Sequence, residues 1–189
     1  LGVPPMSSYK VDPLAVACAT AVEKGIVVVA AGTSSRMNGT DKQVADLRGT
    51  PVFLHSLKLF ESCDLVEAVS VVFSDSNIGI GQKAIERADL RKVKATLTGG
   101  SRRQDSVRLG IDALLESAGE MDWIAIHDGA RPFVDNAMLL RGLDSAGKTG
   151  ASVAAVRVKD TIKEVGAGGI VVDTPDRSRL WAVQTPQIF

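Results

Sequence analysis

Residues 26–43 read IVVVAAGTSSRMNGTDKQ, and the order of residue types in that stretch decides the fold. The apolar run 26–31 is rich in β-branched side chains, which pack well on a pleated surface. It contains no polar position, so the strand it forms has no face to turn to water. That is the pattern of a strand in a parallel sheet with helices on both sides. The run stops at Gly32, gives way to small and hydroxylated residues, and then delivers Arg36 and Lys42. Open α/β sheets place ligands at the carboxyl ends of their strands, and a glycine-containing loop there lets backbone amides approach a phosphate chain. Arg36 and Lys42 supply matching charge. The plainer alternative is a surface loop whose cations are solvated.

Outward from this stretch the same alternation continues. The spacing predicts helix 52–62, strand 66–73, helix 80–89, strand 93–97, helix 104–117, strand 122–126, helix 136–146 and strand 151–156. Strands alternating with helices mean an α/β chain. IVVVAA and ASVAAV both read as strands buried on two faces, so a doubly wound, mostly parallel, Rossmann-like sheet is expected. Upstream, Asp12 and Pro13 resemble an N-cap and first helical position, with Gly25 ending a helix that carries Ala15 to Lys24. After Val158 the pattern changes: VKDTIKEV, GAGG at 166–169 and IVVDT read as two strands about a turn, a protruding β-arm over about 157–175. The organisation expected is therefore an N-terminal helical extension over 1–25 and one domain over 26–189.

Composition narrows the function. Lys and Arg number 22 against 22 Asp and Glu, so no net field draws the chain to nucleic acid, and any anion must be caught locally. Cys18 and Cys63 lie far apart in apolar contexts, with no CxxC and no Cys/His cluster, which suits a reducing compartment. Pro13 to Val22, the longest apolar stretch before the first strand, is about half of what spans a bilayer. The opening LGVPPMSSYK lacks a basic n-region, so neither membrane nor secretion is expected. The location expected is the cytoplasm, or the plastid stroma in a eukaryote.

Two motif matches lack their context. GLDSAGKT at 142–149 satisfies G-x-x-x-x-G-K-[ST], but it ends a helical run instead of linking a strand to a helix, so Gly147 reads as a helix C-cap. GIGQKA at 79–84 approximates a dinucleotide fingerprint without the acidic residue that should follow, and reads as a plain helix start.

AAGTSSRM (30–37), DKQ (41–43), GGSRRQDSV (99–107), IHDGARP (126–132), VKDTIKEV (158–165) and DRSRLWAVQTPQIF (176–189) occur in one order. Together they resemble the 2-C-methyl-D-erythritol 4-phosphate cytidylyltransferase family of isoprenoid biosynthesis. The first two are shared with other nucleotidylyltransferases; the set is specific. The resemblance implies transfer of a cytidylyl group from CTP to a polyol phosphate with release of pyrophosphate. Both reactants are anions, which gives the two cations their purpose. An ionised phosphate needs no general base. By resemblance, Arg36 and Lys42 bind the triphosphate and stabilise the transition state, with Mg²⁺ or another divalent cation bridging phosphate oxygens and no direct metal ligand assigned in the protein.

The resemblance likewise implies nucleotide contacts at Ala30, Ala31, Gly32, Thr33, Gly99, Gly100, Ser101, Ser106, Asp128 and Gly129. From the residues alone, Gly99 and Gly100 could let backbone groups read a base edge with Ser106 adding a hydroxyl, or could simply form a tight turn before a helix. Asp128 could hold metal or sugar hydroxyls and Arg131 a phosphate, or the pair could only brace a loop; the family places both positions in the acceptor site. Thr161 and Arg177 match positions that bind the polyol phosphate across a dimer interface, and Thr185 is expected in the same pocket. A homodimer is implied. His127, Trp123 and Trp181 read as packing. The family continues past TPQIF with a helix and strand carrying a lysine for the acceptor phosphate, whereas this sequence stops at Phe189; the C-terminal end is expected to be missing. The competing expectations are a ribitol 5-phosphate cytidylyltransferase and an inactive nucleotide-binding homologue.

Overall fold

Alternate side chains of the first strand enter two different cores. Ile26, Val28 and Ala30 pack with Phe53, Leu57 and Phe60, while Val27 and Val29 pack with Val72 and Leu114. This is the period-two consequence of a strand with a helix layer on each face. The computed structural model describes residues 23–32 and 41–189. The helix expected before residue 23, Thr33 and Arg36 lie outside the described residues.

In chain order the elements are β1 (Lys24–Ala30), β2 (Asp46–Leu47), β3 (Thr50–Pro51), α1 (Val52–Ser62), β4 (Ala68–Phe73), α2 (Ile78–Arg87), β5 (Val93–Thr98), α3 (Arg103–Ala118), β6 (Trp123–Asp128), α4 (Asn136–Thr149), β7 (Ser152–Arg157), β8 (Glu164–Val165), β9 (Val171–Asp173) and β10 (Trp181–Ile188). The main sheet has the order β5-β4-β1-β6-β10-β7. From β5 to β6 all neighbours are parallel, with Val28 opposite Val71 on one side and His127 on the other. Strand β10 runs antiparallel to both its neighbours. One core lies under α1 and α4, with Phe53 edge-on to Phe73 at 5.1 Å; the other lies under α3. The doubly wound α/β architecture expected from the sequence is the one observed.

Four particulars differ. Lys24 and Gly25 belong to β1 and do not end a helix; a Cβ on Gly25 would stand 2.4 Å from Leu114 Cδ2, so the glycine admits α3 against the strand. Gly147 is inside α4, whose cap is Gly150 in the left-handed region at φ 85°. The P-loop match is thus helix from end to end. ASVAAV is not buried on two faces, because β7 is the sheet edge: Val153 is 49% exposed and Val156 57%. Finally, WAVQTPQI is a full strand wedged between β6 and β7, a position its sequence neighbours do not suggest. The arm is present as the β8–β9 pair around Gly166–Gly169, and both its strands are wholly exposed.

The approach of α3 is set by Gly110. A Cβ there would lie 2.4 Å from Val27 Cγ1 and 2.8 Å from Val72 Cγ2, and the Gly110 carbonyl accepts a 2.7 Å bond from the buried Ser70 hydroxyl. Alanine gains about 1 kcal/mol of helix propensity, but overpacking against stiff valines costs about 1–3 kcal/mol. Gly110→Ala should therefore be a net loss, read as a lower urea midpoint; an unchanged or raised midpoint would contradict this packing.

Candidate active site

The chain leaves β1 for β4 on one side of the sheet and returns to β6 on the other, so the crevice outside the carboxyl ends of these strands is the topological switch point. A cleft of about 850 Å³ opens there. Its lining includes Ala31, Gly32, Lys42, Gly99, Gly100, Ser101, Ser106, Asp128 and Arg131, segments scattered over a hundred residues of sequence. All of these are residues the sequence points to; Ser74, Asp75, Arg102, Arg103 and Ala130 also line the cleft and are not among them. The second arginine of GGSRRQDS was the available signal, since the residues opening a helix after a strand point at the same crevice.

Lys42 reaches the cleft from a fixed turn. The Asp41 carbonyl accepts from the amides of Val44 and Ala45, and its carboxylate accepts from the Gln43 amide at 3.0 Å and from the Asn77 side chain at the start of α2. The Gln43 carbonyl in turn accepts from Phe53 N at 3.1 Å in the first turn of α1. A side chain that is itself exposed is thus mounted on backbone tied to two helices.

The loop from Gly99 to Ser106 closes on itself. Gly100 N donates to Ser106 Oγ at 3.2 Å, Ser106 Oγ donates to the Arg102 carbonyl at 3.3 Å, and Gly99 N donates to Phe73 O at 2.8 Å. Ser106 is buried, so its hydroxyl shapes this loop. Asp105, in the first turn of α3, takes the Arg102 guanidinium on both oxygens at 3.0 and 2.8 Å, and that contact holds its carboxyl below the usual range.

Asp128, at the end of β6, is clamped by two arginines. Arg103 Nη2 lies 3.0 Å from Oδ1 and Arg131 Nε 3.1 Å from Oδ2, while Arg131 Nη1 also donates to the Gln184 side chain on β10. Behind the pair sits His127, fully buried, with Phe60 edge-on at 5.4 Å. Burial pushes its pKa down to about 4, so the ring is neutral at neutral pH. Thr185 is 6% exposed and hydrogen-bonds both His127 and the Asp128 amide. Ala30 and Gly129 are likewise buried behind the lining. Gly129 has a steric reason to be glycine: a Cβ would stand 2.9 Å from the buried Gln43 Oε1, which has no hydrogen-bond partner among the described residues.

The remaining expected residues are elsewhere. Thr161 and Arg177 are exposed at the base of the arm, where Arg177 Nη1 donates to the Lys159 carbonyl at 2.9 Å; neither lines the cleft of its own chain. Trp123 packs against the core, but Trp181 is half exposed with the Arg157 guanidinium 4.6 Å over its ring, so it is a surface stack and not core packing. Among the described residues no helix is long and apolar enough to cross a membrane.

A family model described as 2-C-methyl-D-erythritol 4-phosphate cytidylyltransferase matches residues 25–189. The chain is 44% identical over 165 residues to the protein of that name from Dehalococcoides mccartyi (strain CBDB1), covering 87% of this chain and 71% of that one. It is 45% identical over 164 residues to the one from Geobacillus thermodenitrificans (strain NG80-2), covering 86% and 70%. Among solved structures, the Francisella tularensis protein of the same name matches with a TM-score of 0.68 at 26% identity, over 88% of this chain and 71% of that one.

Proposed function

Since the chain belongs to the 2-C-methyl-D-erythritol 4-phosphate cytidylyltransferase family, we propose a division of labour for its cleft in coupling CTP to methylerythritol phosphate. The enzyme is a nucleotidyltransferase of isoprenoid biosynthesis that releases pyrophosphate and 4-diphosphocytidyl-2-C-methyl-D-erythritol. An oxygen of the polyol phosphate attacks the α-phosphorus of CTP, the new P–O bond forms as the bond to the β-phosphate breaks, and pyrophosphate leaves with the electron pair. Repulsion between two anions must be cancelled first, then extra charge on the α-phosphoryl oxygens stabilised. Lys42 and Arg36 serve the triphosphate. The Gly99–Ser106 loop, with Ala31 and Gly32, holds the nucleoside. Asp128 orients sugar hydroxyls and Arg131 takes the acceptor. The observation that carries this reading is the convergence of Lys42, the glycine loop and the Asp128–Arg131 pair on one cleft at the strand ends.

A magnesium-type cation fits this cleft as a companion of the triphosphate. Asp75 and Asp128 are the carboxylates on its lining, and among the described residues no group of three or more His, Cys, Asp or Glu forms a cage. Magnesium is usually held by one or two carboxylates plus substrate phosphates; Asp75 would hold it together with those phosphates, since both oxygens of Asp128 are taken by arginines, and it would supply neutralising charge there. A cytosolic location accords with the buried free thiol of Cys63.

The arm supplies the argument for a homodimer. Val165, Ile170, Val171 and Val172 are 52–69% exposed on a hairpin too small to bury its own apolar face. A second copy would cover it and bring Thr161 and Arg177 to a neighbouring cleft. Sedimentation should show a dimer for the intact chain and a monomer once residues 160–174 are replaced by a short turn; a monomer in both would remove the interface.

The activity is tested by pyrophosphate release with CTP and either polyol phosphate. Turnover with 2-C-methyl-D-erythritol 4-phosphate is expected. Preference for ribitol 5-phosphate, or CTP binding without turnover, would overturn the reading.

A further inference from the structure

We propose that His127 is a positioning residue of the transfer reaction, acting through Thr185 to hold the Asp128–Arg131 pair in register. The inference rests on the functional reading of that pair given above, and the hydrogen-bond directions carry it. His127 Nε2 lies 3.0 Å from the Arg131 carbonyl, which can only accept, so Nε2 bears the proton. A neutral ring has one N–H, which leaves Nδ1 a bare acceptor. Thr185 Oγ1, 3.2 Å away, donates its hydrogen there, and the same oxygen accepts the Asp128 amide at 3.1 Å.

The chain of donors therefore runs from Asp128 N–H to the Thr185 hydroxyl to His127 Nδ1, and from His127 Nε2–H to the Arg131 carbonyl. It starts and ends on the backbones of the two residues whose side chains meet at 3.1 Å in the cleft. It also ties their loop to β10, from which Gln184 contacts the Arg131 guanidinium. With the hydrogen of Thr185 committed and the residue buried, its hydroxyl works on the loop and not on a ligand. Neither His127 nor Thr185 is a catalytic residue in this account; each sets where Asp128 and Arg131 point.

The experiment pairs kinetics with nitrogen NMR. Thr185→Val keeps shape and removes the hydroxyl; His127→Gln keeps a donor near the Nε2 position and removes the Nδ1 acceptor. Each should raise the KM for the polyol phosphate or lower kcat by about tenfold, the scale expected when a binding group is displaced by a fraction of an ångström. Thr185→Ser should restore both to within about twofold. The double variant should lose no more than the worse single one, because the two residues form one chain. Additive losses, or wild-type kinetics in Thr185→Val, would overturn the proposal. In ¹⁵N-labelled wild type the His127 ring should show the Nε2–H tautomer, with the Nδ1 signal moving in Thr185→Val. An Nδ1–H tautomer overturns the proposal whatever the activity. Failure of wild type to consume CTP would instead sink the functional reading, and the tautomer then decides the ring by itself.

Discussion

Lys42→Ala should lower turnover by about 10²–10³ at saturating CTP and acceptor, because removing one preorganised charge aimed at developing negative charge costs roughly 3 kcal/mol. The fold should barely notice. Lys42 is exposed, and the bonds that set its turn belong to Asp41, Gln43 and their partners on α1 and α2. The measurement is pyrophosphate release beside a thermal melt of both proteins. Equal turnover in the two would remove Lys42 from the reaction. A melt lowered as much as the rate would mean that the turn, and not the charge, had been lost.

The second large effect concerns nucleotide choice. If the Gly99–Ser106 loop reads the base, CTP should be used in preference to UTP by as much as about 10⁴-fold, since a site built to pair one base edge leaves polar groups unsatisfied with the wrong one. Purine nucleotides should scarcely react. A Cβ on Gly100 would stand 2.5 Å from Asp105 Cβ, so Gly100→Val must push the loop off the start of α3. Its neighbour tolerates no more: a Cβ on Gly99 would meet Ser106 Oγ at 2.5 Å and Ala31 Cβ at 2.7 Å. Calorimetric titration should show CTP affinity falling in Gly100→Val while pyrophosphate affinity holds, because Lys42 is mounted on a different turn. Unchanged CTP binding would show that the base lies elsewhere.

The sequence by itself determined the parallel core and which segments meet at the cleft along its edge. The unbroken apolar run of β1 is buried on both faces as its pattern predicts, and the segments at Gly32, Gly99 and Asp128 each close or follow a strand, where chain direction alone puts them at the carboxyl edge. The motif set determined the family in the same local way, and the local context of GLDSAGKT, inside a helical run, is enough to set it apart from a phosphate loop. What only the tertiary structure decided depends on contacts between distant segments. β10 enters between β6 and β7 although nothing in WAVQTPQI names its neighbours, and by taking that place it leaves β7 as an exposed edge. Gly25 read locally as a helix stop and proved to be the place where α3 presses on β1, a packing fact that no cap rule contains. Arg103 reaches Asp128 across 25 positions, and Thr185 meets His127 across 58. The physical reason is one of range: periodicity and turn chemistry act within a few residues, whereas a hydrogen-bond ring or a strand insertion exists only once the sheet has brought its distant parts together.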